Sequence, residues 1–217
     1  MTGDRPVIAV IGGSGAEGSG LAFRWVRAGY RVIVGSRTAE RARAAADEIG
    51  AEGMANADAV AVCDIAVLTV PFAAQRETLE ALRAPLQGKI LVDVTVPLRP
   101  PKVMRVRMPA EGSAARIAQD ILGEGVRVVS AFQNVSAHHL RDPAHAIDCD
   151  VLVTGDTPAA REQVAALAEA IGLRAIEAGP LDNAAAAEAL TSLLIWINKR
   201  YRSAGSGIRI TGLPDDA

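Results

Sequence analysis

The chain has 217 residues, 50% hydrophobic and 22% charged, which is enough apolar material for one sizeable core and too little charge for a disordered chain. Its 23 Lys and Arg against 25 Asp and Glu leave a formal net charge of -2, which argues against nucleic acid as the main partner. The longest apolar runs, such as Ile65 to Val70, are strand-sized and well below the roughly 20 residues of a membrane-spanning helix, so no membrane partner is expected.

The first element is a strand, Val7 to Ile11. Neither a signal-peptide apolar region nor a small-residue cleavage site precedes it, so a cytoplasmic setting is expected. Directly after it stands G-x-G-x-x-G as Gly13, Gly15 and Gly18, with Ser14, Ala16 and Glu17 between them. An amphipathic helix through Leu21, Trp25 and Val26 follows, and then a second strand, Arg31 to Val34. In that context the glycines serve a tight turn, a close approach of backbone to a pyrophosphate and close helix–strand packing, in that order, and the helix N-terminus offers N–H groups to phosphate.

The end of the second strand selects the dinucleotide. A carboxylate there would hold the ribose 2′-hydroxyl of NAD, whereas cationic and hydroxyl groups accept the 2′-phosphate of NADP. The residues present are Gly35-Ser36-Arg37-Thr38, while Glu40 lies beyond on the next helix and Arg41 and Arg43 follow. NADP(H) is therefore expected, with Ser36 and Arg37 on the phosphate, Arg41 as a second charge and the Arg37 plane free to stack on adenine.

Further strands are expected at Asp64 to Val70, Lys89 to Val94, Val126 to Ala131, Val151 to Thr154 and Arg174 to Ile176. Their consecutive apolar residues suit a parallel sheet buried on both faces. Between them the pattern predicts a helix over Ala74 to Leu86 ended by Gly88. A second, over Arg161 to Ile171, has Thr157 as cap, Pro158 in its first turn and Gly172 after it. A last long helix is capped by Asp182, carries Leu190, Leu193, Leu194, Ile197 and Tyr201 at helical spacing, and ends in Lys199, Arg200 and Arg202. The proline-rich stretch Val96 to Glu111 reads as a loop over the cleft.

The fold class is α/β, a Rossmann-type doubly wound parallel sheet. Residues 1–155 form the NADP-binding unit, and 156–217 a C-terminal extension that packs on the same core and closes the cleft. Thr69-Val70-Pro71-Phe72, Thr95-Val96-Pro97 and Ala131 to Ala137 end strands at that cleft. Cys63 and Cys149 lack a partner motif and read as buried thiols, and His138, His139 and His145 as rim or surface residues; no metal site is expected. No nucleophile triad or Lys–Tyr relay is evident. Hydride exchange between rings held face to face needs neither, because the cofactors carry the chemistry.

With these residues placed, nearly the whole chain resembles the NADPH-dependent F420 reductases, also called F420:NADP oxidoreductases. The resemblance is carried by Gly12-Gly13-Ser14-Gly15, Gly18-Ser19-Gly20, Val34-Gly35-Ser36-Arg37, Cys63 to Pro71, Ser113-Ala114-Ala115, Val129-Ser130-Ala131, Ala178-Gly179-Pro180-Leu181 and Leu190-Thr191. It implies hydride transfer between NADP(H) and the deazaflavin coenzyme F420 in a homodimer. It further implies that Ser14, Ser36, Arg37 and Arg41 hold the NADP phosphates and that Thr69, Val70, Pro71 and Val135 surround the nicotinamide. Ala137 and Gly207 would lie near the deazaflavin, and Gln133 with Val135 at the reacting centre. Archaeal members carry a histidine where this chain has Gln133, and glutamine can donate and accept hydrogen bonds but cannot hold a positive charge. Two other readings stand beside this one: an NADPH-dependent reductase of the same fold with a flavin, carbonyl or imine acceptor, and a non-catalytic NADP sensor.

Overall fold

Runs of β-branched and aliphatic residues fold here as strands covered on both faces. The computed structural model describes residues 5–214. Strands β1 (Ile8–Ile11), β2 (Val32–Ser36), β3 (Glu52–Ala55), β4 (Ile65–Leu68), β5 (Ile90–Asp93), β6 (Arg127–Ser130), β7 (Asp150–Gly155) and β8 (Arg174–Glu177) make one sheet ordered β3-β2-β1-β4-β5-β6-β7-β8. The helices are α1 (Ala16–Arg27), α2 (Ala39–Asp47), α3 (Asn56–Val62), α4 (Phe72–Leu82), α5 (Ala114–Leu122), α6 (Ala137–Leu140), α7 (Pro158–Glu169) and α8 (Ala184–Tyr201).

The alternation of side chains along each strand builds two apolar layers. On one face Ile8, Val10, Val34, Val67 and Val92 pack with Leu21 and Trp25 of α1 and Val164 and Leu167 of α7. On the other, Ala9, Ile11, Ile33, Leu68 and Leu91 pack with residues of α3, α4 and α5, among them Val60, Leu79 and Leu122. Trp25 also donates from Nε1 to the Leu167 carbonyl at 2.9 Å, which joins α1 to α7 across that layer.

Several expectations are corrected. The sheet is not parallel throughout, because β6 and β7 meet antiparallel at Ser130 and Thr154. The edge strand β3 and helices α3 and α5 were not anticipated; β3 reads Glu-Gly-Met-Ala and is partly exposed, so it lacks the apolar run that marks the central strands. Helix α4 ends at Leu82 rather than Leu86. Asp182 does not cap α8: it lies in a 3-10 turn, Leu181–Asn183, and accepts from Arg116 Nη2 at 2.6 Å. Thr157 stands at the cap position of α7 without a side-chain cap bond, and Pro158 opens the helix as expected.

The C-terminal tail is fastened to the start of β7. Asp150, fully buried, takes a two-pronged bond from Arg174 at 2.8 and 2.6 Å and a third from the Ile210 N–H at 2.6 Å. The Arg174 guanidinium holds this carboxyl below the usual carboxylate range. Cys63 and Cys149 are both free and buried. Among the described residues no helix is long and apolar enough to cross a membrane.

Candidate functional site

A cleft of about 1090 Å³ opens along the carboxyl ends of the parallel strands, where an open α/β sheet places its ligand. Its floor is the glycine loop. Gly12 has φ +79°, a left-handed backbone that turns the chain out of β1. Gly15 precedes α1 with no side-chain cap, so the first N–H groups of the helix face the cleft beside Ser14, Ala16 and Glu17. At Gly18 a Cβ would strike Thr69 Oγ1 and come within 2.8 Å of the Gly13 Cα, so only glycine lets α1 lie this close to the loop and to β4. Thr69 Oγ1 itself donates to the Ile11 carbonyl at 2.9 Å and locks the end of β4 to the end of β1.

Glu17 lines the cleft with Oε1 buried and unpartnered among the described residues, and desolvation pushes its carboxyl up to about 8. Burial thus favours the neutral form of this carboxyl beside the helix N-terminus.

At one end of the cleft, Ser36 is buried at the tip of β2, while Arg37 and Arg41 reach the cleft from the following loop and α2. Neither guanidinium enters an ion pair among the described residues, so both are open to an anion. The opposite end is formed by Thr69-Val70-Pro71-Phe72, Thr95-Val96 and the run Phe132 to Ala137, while Pro97 and Ala131 of the same strand ends do not line it. Of the proline-rich stretch, only Val96 and Leu98 reach the cleft.

Gln133 is 5% exposed and held from three directions. Its Nε2 donates to the Asp93 carbonyl at 2.7 Å and to Ser130 Oγ at 2.8 Å, and Thr191 Oγ1 of α8 donates to the Gln133 backbone carbonyl at 2.7 Å. Beneath it lies a buried acid pair. Asp93 accepts from Gln75 Nε2 at 2.6 Å and from the Thr95 N–H at 2.8 Å, and Glu188 accepts the Ala114 and Ala115 N–H groups at 2.7 and 3.0 Å. Desolvation pushes Asp93 up to about 6 and Glu188 up to about 8.

The structure separates some of the expected site residues from the cleft. Gly13 and Gly18 shape the loop from behind rather than line it. Gly207 packs against Cys149, where a Cβ would come within 2.7 Å of the Cys149 Cβ, and the neighbouring Ser206 is the residue at the cleft wall. His139 and His145 lie beyond the cleft with ring centroids 4.0 Å apart and planes tilted by 43°; partial burial and the adjacent His145 and His138 lower the pKa of His139. No cluster able to hold a metal occurs among the described residues. Sequence reasoning missed Asn56 and Ala57 at the start of α3 and Leu194, Ile195 and Asn198 of α8, all of which line the cleft. Only the polar Asn56 directly after a strand end carried a signal for them.

A family model described as NADP oxidoreductase coenzyme F420-dependent matches residues 7–97. The chain is 46% identical to the F420-dependent NADP reductase of Methanothermobacter thermautotrophicus, over 96% of each chain. It belongs to the F420-dependent NADP reductase family. The corresponding enzyme of Methanothermobacter marburgensis is 42% identical over 96% of this chain and 99% of the relative. Among solved structures, a hypothetical protein, SMa0349 from Sinorhizobium meliloti, shares the fold with a TM-score of 0.69 at 23% identity, covering 84% of this chain and 86% of its own. Family membership spans the α8 side of the cleft as well as the glycine loop.

Proposed function

We propose that this protein transfers hydride between NADP(H) and coenzyme F420 in the cleft at the strand ends. The observation that carries the reading is the pairing of an uncapped glycine-loop helix with two cleft-facing arginines at the end of β2, in a chain of this family. The residues present fit both groups. The glycine loop brings Gly12, Ser14 and Gly15 to the cleft beside the uncapped start of α1, Ser36, Arg37 and Arg41 supply hydroxyl and cations for a 2′-phosphate, and Thr69, Val70, Pro71 and Val135 offer a mainly apolar wall for a ring.

When bound, the nicotinamide and the deazaflavin supply the redox chemistry, and the chain orients them and excludes water. Ser14 with the first N–H groups of α1 binds phosphate; Gln133 and Val135 border the reacting rings. Residues 1–155 hold the dinucleotide, and residues 156–217 contribute α8 and the tail, whose Leu194, Ile195, Asn198 and Ser206 close the far side near Ala137. We assign it to the cytoplasm, where free NADP(H) is available. The test is anaerobic mixing of the pure protein with NADPH and oxidised F420, with FMN in parallel. Loss of the deazaflavin's visible absorbance with NADPH and not with NADH is the expected result; tight NADPH binding with F420 remaining oxidised would favour a different acceptor or a sensor.

We further propose a homodimer through α8. Leu193, Trp196 and Tyr201 stand on that helix 47%, 51% and 72% exposed, with Leu190 and Ile197 part-buried beside them, an apolar face that water does not favour. Sedimentation equilibrium is expected to give twice the chain mass, and a Leu193→Glu, Trp196→Glu double variant the single mass; an unchanged mass in the variant places the interface elsewhere.

A further inference from the structure

The turn after β6 carries two amide residues that line the cleft, and both side chains are locked the same way round. Gln133 and Asn134 are 5% and 2% exposed. The amide nitrogen of Gln133 donates to the Asp93 carbonyl at 2.7 Å, and that of Asn134 to the Asp150 carbonyl at 2.7 Å, with Cys149 Sγ a further 3.1 Å neighbour. A carbonyl oxygen only accepts, so the nitrogen of each amide must face it and the amide oxygen must point away. Gln133 Oε1 and Asn134 Oδ1 are both buried and without a partner among the described residues, and both residues line the cleft. The backbone supporting them is held in an uncommon shape. Phe132, fully buried edge-on against Trp25, has φ +73°, a conformation that a bulky side chain keeps only when its surroundings enforce it.

We propose that Gln133 Oε1 and Asn134 Oδ1 form a two-acceptor subsite that recognises an N–H donor on a bound ring. Such a subsite takes an amide NH₂ or an imide N–H and rejects a carbonyl edge, because its own donors are already engaged on the backbone. Gln133 thus offers the cleft only an acceptor, although glutamine in general can do both. The assignment rests on the function proposed above, which brings two such donors into the cleft: the carboxamide NH₂ of the nicotinamide and the imide N–H of the deazaflavin. A ligand lacking the donor leaves buried acceptors unpaired, and sites of that kind discriminate strongly.

Two ligand analogues test this on the unaltered protein. In the 3-acetylpyridine analogue of NADP a methyl ketone replaces the carboxamide, and in an N3-methylated deazaflavin the imide N–H is lost. At least one analogue is expected to show a Kd or KM about 10-fold or more above its parent, and the one affected identifies the donor. Gln133→Met is then expected to weaken the affected parent and to shrink the parent-to-analogue ratio. If both analogues match their parents on the unaltered protein, the subsite is overturned. Should F420 itself fail to turn over, the proposed function falls, and the NADP pair still decides whether the acceptors read the carboxamide.

Discussion

Arg37→Ala is expected to weaken NADPH binding by about 10- to 100-fold while changing NADH binding by less than about threefold. Hydrogen bonds to charged groups contribute about 1.5–3 kcal/mol, and each 1.4 kcal/mol is a factor of ten. The guanidinium is exposed at the cleft edge, so the lower part of that range applies at physiological salt and the upper part at low ionic strength. Arg41 lies four residues on in α2, itself capped by Thr38, whose Oγ1 accepts from the Arg41 N–H at 3.4 Å. It retains part of the phosphate attraction, which is why the loss stops short of abolition. Fluorescence titration of both nucleotides against both proteins measures the ratio. Equal losses for NADPH and NADH would mean that Arg37 stacks on adenine rather than holding the 2′-phosphate.

Glu188→Ala is expected to lower stability by about 2–5 kcal/mol and the midpoint of thermal unfolding by about 5–15 °C. The carboxyl group is 1% exposed and takes two N–H groups from the first turn of α5, and its removal leaves both donors buried and unpaired. Because Glu188 sits on α8, three residues before Thr191, the same loss loosens the cleft wall that holds Gln133. The pH dependence gives a second readout. Burial raises the folded-state pKa of Glu188 from 4.5 to about 8 and that of Asp93 from 3.8 to about 6. The folded protein therefore binds these protons more tightly than the unfolded chain. Their contribution is fully present below about pH 4 and is lost as the pH rises through about 6 for Asp93 and about 8 for Glu188. Glu188→Gln, which cannot ionise, is expected to flatten the decline between pH 5 and 8 relative to the parent. Differential scanning calorimetry across that range checks both statements; a midpoint in Glu188→Ala within about 2 °C of the parent would show the α5 N–H groups to be otherwise satisfied.

The readable half of the site owes its legibility to local chemistry. Gly18 is glycine because Thr69 and Gly13, packed against it, leave no room for a Cβ, and Arg37 follows Ser36 directly at a strand end, so spacing along the chain reports position in space. Gln133 and Asn134 were visible as residues at a strand end. Their role as acceptors was not, since it depends on the Asp93 and Asp150 carbonyls, which are 40 and 16 residues away in the chain. Edge strand β3 escaped notice for a different reason: a half-exposed edge needs no apolar run, and Glu52 is there to pair with Arg31 at 2.7 Å.

Strand periodicity, the glycine loop and the absence of a carboxylate after β2 were enough by themselves to determine an α/β dinucleotide fold and its preference for NADP(H), because each rests on neighbours within a few residues. The antiparallel turn of β7, the escape of Asp182 from its capping position, the retreat of Gly207 behind Ser206 and the use of Glu188 as a cap for a distant helix were decided only by tertiary structure. A strand reads the same in either direction, and a buried carboxylate takes whichever N–H groups the fold brings to it.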